Sequence, residues 1–104
     1  TVAGVMSHGQ HRQLELAMAL ATRPKLLLLD EPMAGLGAEE SREMAKLLAS
    51  VKSQYTILLI EHDMDVVFAL ADRISVLVRG RIIASGTPDE IRADPKVIAA
   101  YLGD

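Results

Sequence analysis

Two apolar runs in this chain end in acidic clusters. Leu26-Leu27-Leu28-Leu29 leads into Asp30-Glu31-Pro32, and Thr56 to Ile60 leads into Glu61-His62-Asp63. Runs of this length suit strands buried on both faces of a parallel sheet. In open α/β sheets, ligands bind beyond the carboxyl ends of the strands. A carboxylate at such a tip, Asp30, can hold hydrated Mg²⁺, a hard cation that prefers oxygen ligands and keeps several waters. The adjacent Glu31 points the other way along an extended chain and can polarise a water. His62 adds a hydrogen-bonding side chain at the second tip. A third feature is Met6-Ser7-His8-Gly9-Gln10, where Ser7 can cap a helix and Gly9 removes bulk from its first turn. The free N–H groups of a helix N-terminus make a ready anion site. Singly, each feature also suits a plainer reading: solvated acids, a locally capping histidine, a capped helix without a ligand.

The elements that must position these residues alternate between helical and extended periodicity. Ser7 to Ala21 is predicted as a helix, with Gln10 completing a capping box and Leu14, Ala17, Met18 and Ala21 forming its apolar stripe; Pro24 marks its end. Leu26–Leu29 and Thr56–Ile60 are predicted strands. Between them, Glu39 to Lys52 is helical, with Met44, Leu47, Leu48 and Val51 on one face. Met64 to Ala71 is a third helix, aligning Met64, Val67, Phe68 and Ala71. Ile74–Val78 and Arg81–Ala84 flank the turn signal Arg79-Gly80 and form a β-hairpin. Thr87-Pro88-Asp89-Glu90 starts a short helix, and Asp94-Pro95 repeats the cap-plus-proline device before a last helix ending near Leu102. The fold class is α/β: a mainly parallel sheet with flanking helices, then a hairpin and short helices.

Composition narrows the function. The 104 residues suffice for one small domain, and half of them are apolar. Tyr55, Phe68 and Tyr101 are the only aromatics, so the core is expected to be aliphatic, built from stretches such as Leu26–Leu29 and Ala17–Ala21. A net charge of −3 without a basic cluster argues against a nucleic-acid surface, and so few aromatics argue against base stacking. There is no cysteine, which excludes disulfides and thiol-based zinc sites. No apolar run approaches the ~20 residues of a membrane span.

The order Ser-x-Gly-Gln helix, strand plus Asp-Glu-Pro, then strand plus His about thirty residues on is highly specific in combination. Over essentially its whole length the chain resembles the ABC (ATP-binding cassette) ATPases. Met6 to Gln10 is similar to the signature motif of that family, with Met6 for its usual Leu and His8 for its first Gly. Leu26 to Glu31 looks like Walker B, Ala34-Gly35-Leu36-Gly37 lies where the D-loop lies, with Gly37 at the usual Asp position, and His62 matches the switch histidine. The resemblance implies the following. Two ATPase subunits, alike or different, pair head to tail around two ATP molecules. Ser7, Gly9 and Gln10 contact the ATP held by the partner subunit. Asp30 holds Mg²⁺ through water, Glu31 is the general base or water-orienting group, and His62 contacts the terminal phosphate.

The resemblance also implies an incomplete P-loop NTPase-type sheet. None of the seven glycines opens a G-x-x-x-x-G-K-[ST] phosphate loop, and the family's glutamine loop is not found either. The three stretches expected within one cassette domain are 1–24 with the signature helix, 25–72 with Walker B, D-loop and switch histidine, and 73–104 with the hairpin and C-terminal helices. These residues alone are expected to hydrolyse no ATP and to expose an apolar edge of the sheet. Arg79 to Pro88 resembles the hairpin and helix entry of importer ATPases, and Asp94 to Gly103 is similar to the C-terminus of branched-chain amino acid importer ATPases; urea and short-chain amide importers share much of that tail. The implied partners are a membrane permease and, indirectly, a periplasmic or extracellular solute-binding protein, with the ATPase at the cytoplasmic face of the membrane. The alternatives are a soluble ABC ATPase of DNA repair or translation and a non-catalytic module that kept the fold. Retention of both Glu31 and His62 weighs against the second.

Overall fold

The computed structural model describes residues 7–102. Met6 of the signature-like motif and Gly103 of the tail lie outside the described residues. Two compact units divide the chain, Thr1–Val66 and Val67–Asp104.

The first unit contains α1 (His8–Ala21), β1 (Leu26–Asp30), α2 (Ala38–Val51) and β2 (Thr56–Ile60). The α1 boundary follows from a complete capping box: the Ser7 hydroxyl accepts from the Gln10 N–H, and the Gln10 side chain accepts from the Ser7 N–H. Strands β1 and β2 pair in parallel, Leu26 opposite Thr56 through Asp30 opposite Ile60, with α2 as the crossover. Met44 and Leu48 are the buried positions of α2, and Leu47 and Val51 of the expected face are half-buried beside them.

Two expectations fail here. The stripe Leu14, Ala17, Met18 and Ala21 faces outward, with Met18 64% exposed, while Gly9 and Leu16 are buried. Polar anchors near the start of α1 set its rotation: the Gly9 N–H donates to Glu40 of α2, and Arg12 donates to two carbonyls of the loop after β1. The row Gly9, Arg12, Leu16 and Ala19 therefore turns inward, against the simple count of apolar residues. The second failure concerns the sheet. Leu27 is buried and, with Leu16, Met44 and Leu48, lines one cavity between α1, β1 and α2. Leu26, Leu28, Leu58 and Ile60 form the opposite row, each about half exposed, from 49% to 59%. Among the described residues the helices of this unit cover only one face of the two-stranded sheet, so the apolar runs are not buried on both.

In the second unit, β3 (Ile74–Val78) and β4 (Arg81–Gly86) form an antiparallel hairpin. Arg79 and Gly80 both have positive φ, 50° and 78°, as the mirror-image turns matched to strand twist require. Strand β4 runs two residues past the expected Ala84 because Ser85 and Gly86 still pair with Ser75 and Ile74. Helix α3 (Met64–Leu70) contains the division between the units, and its Val67 and Phe68 pack on a core of Ile74, Val76, Ile91 and Val97. The aliphatic core is as expected: no aromatic residue is among the buried ones. Thr87 and Glu90 form the capping box of α4 (Pro88–Ala93), and Asp94 caps α5 (Pro95–Val97). The expected final helix is split, α5 giving way to a π-helical turn over Ile98–Leu102, where the Tyr101 hydroxyl donates to the Leu77 carbonyl at 2.6 Å. Arg92 lies over the Phe68 ring, 4.4 Å from its centre.

Ile91 is 1% exposed at the centre of this unit. Ile91→Ala is expected to destabilise the protein by about 2–5 kcal/mol in urea denaturation. The exposed Ile82→Ala should change it by less than about 0.5 kcal/mol.

Candidate functional site

The parallel register places the two acidic loops side by side. The ladder extends past the strands through the Glu31 N–H, which donates to the Ile60 carbonyl at 2.7 Å. One residue past Asp30 on β1 and two past Ile60 on β2, the side chains then meet: the Glu31 carboxylate is in a short hydrogen bond with His62 Nδ1. Glu61, whose side chain is 1% exposed, joins the two loops from below. Its carboxylate accepts from the N–H groups of Met33, His62 and Asp63 at 3.4, 3.1 and 3.4 Å.

Glu31 has a left-handed backbone, φ 46°, which an L-residue other than glycine rarely adopts. Such a conformation persists where the surroundings over-determine it. Here the Glu31 N–H is held by Ile60, and its carbonyl accepts both the Ala34 N–H at 3.0 Å and Arg12 Nη1 at 3.1 Å. Arg12 Nη2 also binds the Ala34 carbonyl at 3.1 Å. Gly35 then turns with φ 79°, and Gly37 caps α2 through its backbone alone. Asp30 is exposed at the tip of β1, in the row of Leu26 and Leu28, so it and Glu31 leave the strand in different directions.

His62 titrates above the ordinary imidazole range. The hydrogen bond to Glu31 and the charge of Glu31 raise it most, desolvation opposes them less strongly, and Glu61 and Asp63 add smaller raising effects. At α1, a carboxylate already occupies the helix N-terminus. Glu40 Oε2 accepts from the Gly9 N–H at 2.9 Å, and a Cβ on Gly9 would fall on that carboxylate. Hydrogen bonds from the Ser7 hydroxyl and from the Gly9 and Gly37 N–H groups, together with the charge of His8, hold the Glu40 carboxyl below its ordinary range despite partial desolvation.

The candidate residues therefore fall into two groups: Glu31 with His62 at the sheet edge, and Ser7, Gly9 and Gln10 at the start of α1, with Gln10 engaged in the capping box. Three residues not singled out from sequence join them. Glu61 closes the second acidic loop, Glu40 bridges the starts of α1 and α2, and Arg12 links α1 to the loop after β1. The available signal for Arg12 was a charge set on the row of Gly9, Leu16 and Ala19. For Glu40 it was the third helical position after Gly37, where a carboxylate reaches back to the cap.

Glu31, Glu61 and His62 each offer a ligand atom, all within 4.8 Å of one another. The Glu61 oxygens and His62 Nδ1 are committed to hydrogen bonds, so this trio reads as a loop joint. The exposed Asp30 carboxylate has the hard oxygen donors that suit hydrated Mg²⁺.

Sequence and structural comparisons define the class. The ABC transporter family model matches residues 1–34, and the branched-chain amino acid ATP-binding cassette transporter model matches residues 81–104. The fold is that of an ABC ATPase cassette. The ADP conformation of MJ1267, an ATP-binding cassette of an ABC transporter, matches with a TM-score of 0.82 at 34% identity, covering 98% of this chain and 42% of that one. CbiO1 from Clostridium perfringens, part of the ABC transporter complex cbiONQ, matches with a TM-score of 0.79 at 36% identity, covering 93% and 39%.

In sequence, the chain is similar to the ABC transporter ATP-binding proteins, in particular to those of branched-chain amino acid transport. It is 47% identical to the high-affinity branched-chain amino acid transport ATP-binding protein BraF of Pseudomonas aeruginosa and 46% identical to LivG of Escherichia coli. Each match covers 98% of this chain and 41% of the relative. The chain thus spans about two fifths of the length of these relatives and corresponds to their C-terminal part.

Glu31→Gln removes the main cause of the elevated His62 titration, so its pKa is expected to fall toward 6.5 in an NMR pH series. Because the folded value is raised, the pair contributes stability below pH ~6.5, and that contribution is lost as pH rises through the folded value. Gly9→Ala is expected to push the Glu40 carboxylate off the α1 terminus and raise its titration in a ¹³C-carboxyl series.

Proposed function

We propose that these residues are the hydrolytic and dimer-contact part of an ATP-hydrolysing subunit of an ABC importer, and that the solute is a branched-chain amino acid. The observation that carries this reading is the meeting of Glu31 and His62 at the tips of paired parallel strands. The similarity to BraF and LivG supports the solute class.

Phosphoryl transfer to water is catalysed mainly by positioning and charge stabilisation. Glu31 is the group that orients the attacking water and accepts its proton. Its side chain is 43% exposed, and its carboxylate is fixed in direction by His62. With Nδ1 committed to Glu31, the Nε2 of His62 remains to donate to the terminal phosphate, and the elevated titration favours its protonated, donating form. Asp30 would hold Mg²⁺ through water; when bound, that ion neutralises charge on the phosphates. Ser7, Gly9 and Gln10 open α1, whose N-terminal dipole suits the phosphates of an ATP held by a second subunit. Ala34, Gly35, Leu36 and Gly37 form the D-loop facing that subunit. The second subunit is an identical or a homologous chain, and the motion of the pair is passed to a membrane permease supplied by a solute-binding protein. This places the ATPase at the cytoplasmic face of the membrane. No helix among the described residues is long and apolar enough to cross a membrane. Stretches 1–24, 25–72 and 73–104 divide the work into partner contact, hydrolysis and the C-terminal hairpin with its helices.

In the full-length ATPase carrying this segment, Glu31→Gln should lower the ATP turnover number by about 10²- to 10⁴-fold while ATP still binds. The 104 residues alone should show no measurable turnover. Turnover by the isolated segment that Glu31→Gln abolishes would overturn the need for a phosphate loop, and unchanged turnover in the full-length variant would overturn the role of Glu31.

A further inference from the structure

We infer that Arg12 is a positioning residue for Glu31, coupling the first turns of α1 to the orientation of the hydrolytic carboxylate. The inference rests on the reading of Glu31 given above.

The guanidinium donates one N–H to the Glu31 carbonyl and another to the Ala34 carbonyl, both at 3.1 Å. Those carbonyls bracket the turn closed by the Ala34 N–H on the Glu31 carbonyl. A planar fork with fixed donor directions suits two acceptors of this kind, and a lysine ammonium would act as a point donor without that geometry. Arg12 takes backbone oxygens, so the Glu31 carboxylate stays free for His62 and water. The backbone it grips is the strained one, with φ 46° at Glu31. Of the groups holding Glu31, Ile60 and Ala34 belong to the sheet edge and to the loop itself. Arg12 comes instead from the helix that carries Gly9 and is capped by Ser7. A shift of α1 at its N-terminus is therefore transmitted to the Glu31 carbonyl through two hydrogen bonds.

The test uses the full-length ATPase and compares Arg12→Met, which keeps the aliphatic stem, with Arg12→Lys. Displacing a positioned group by about 1 Å can cost 10²-fold in rate, so Arg12→Met is expected to lower kcat by about 10- to 100-fold. The Kd for ATP should stay within about twofold, because uniform binding is untouched. Arg12→Lys should recover part of kcat. The His62 imidazole NMR signals should move in Arg12→Met as they do in Glu31→Gln, since His62 reports where the Glu31 carboxylate lies. A kcat within twofold of wild type in Arg12→Met, or a parallel loss of ATP affinity and thermal stability in both variants, would overturn the inference. If Glu31→Gln keeps full turnover while Arg12→Met still moves the His62 signals, the hydrolytic role of Glu31 fails and its positioning by Arg12 stands.

Discussion

The backbone ladder between β1 and β2 continues one rung past the strands, from the Glu31 N–H to the Ile60 carbonyl, and the candidate site hangs on that rung. Parallel pairing makes the two strands end at the same edge, and the crossover through α2 makes them neighbours. Once Asp30 stands opposite Ile60, the residues that follow have little freedom. Glu31 must turn off the strand direction, and the left-handed backbone it adopts brings its carboxylate to His62. Glu61 then satisfies three N–H groups of the two loops with one buried carboxylate. A carboxylate in that position does the work that several backbone contacts would otherwise do, and His62 Nδ1 lies 3.7 Å from it.

Electrostatics organise the start of α1 in a similar way. Glu40 sits at the third position of α2 and faces both helix N-termini, accepting from the Gly9 N–H and interacting with Ser7 and Gly37. One carboxylate thereby complements the positive ends of two helix dipoles. Its closeness to Gly9 gives that glycine a packing reason to lack a side chain, alongside the contact with nucleotide proposed for it.

Local signals carried most of the fold. Capping boxes at Ser7/Gln10 and Thr87/Glu90, the Arg79-Gly80 turn and the strand Thr56–Ile60 lie where residue chemistry places them. These features are decided within four or five residues of chain, so they are legible from sequence. The face of α1 and the exposure of the sheet were not. Both depend on which element lies alongside: Gly9 and Arg12 anchor α1 through partners 19 to 31 residues away, and a run such as Leu26–Leu29 does not state whether one face or two will be covered. In the site, Glu31 and His62 were legible because each is the second residue past an apolar run. The roles of Glu61 and Arg12 were not, because the hydrogen bonds that define them run to backbone groups of other segments.

The left-handed conformation of Glu31 has an evolutionary consequence. A non-glycine residue in such a conformation carries a penalty of about 1–3 kcal/mol, which glycine avoids and asparagine reduces. Selection for thermal stability alone would therefore drift toward Gly or Asn at this position and discard the carboxylate. At this position the locally more stable residue would be the poorer one for the proposed site.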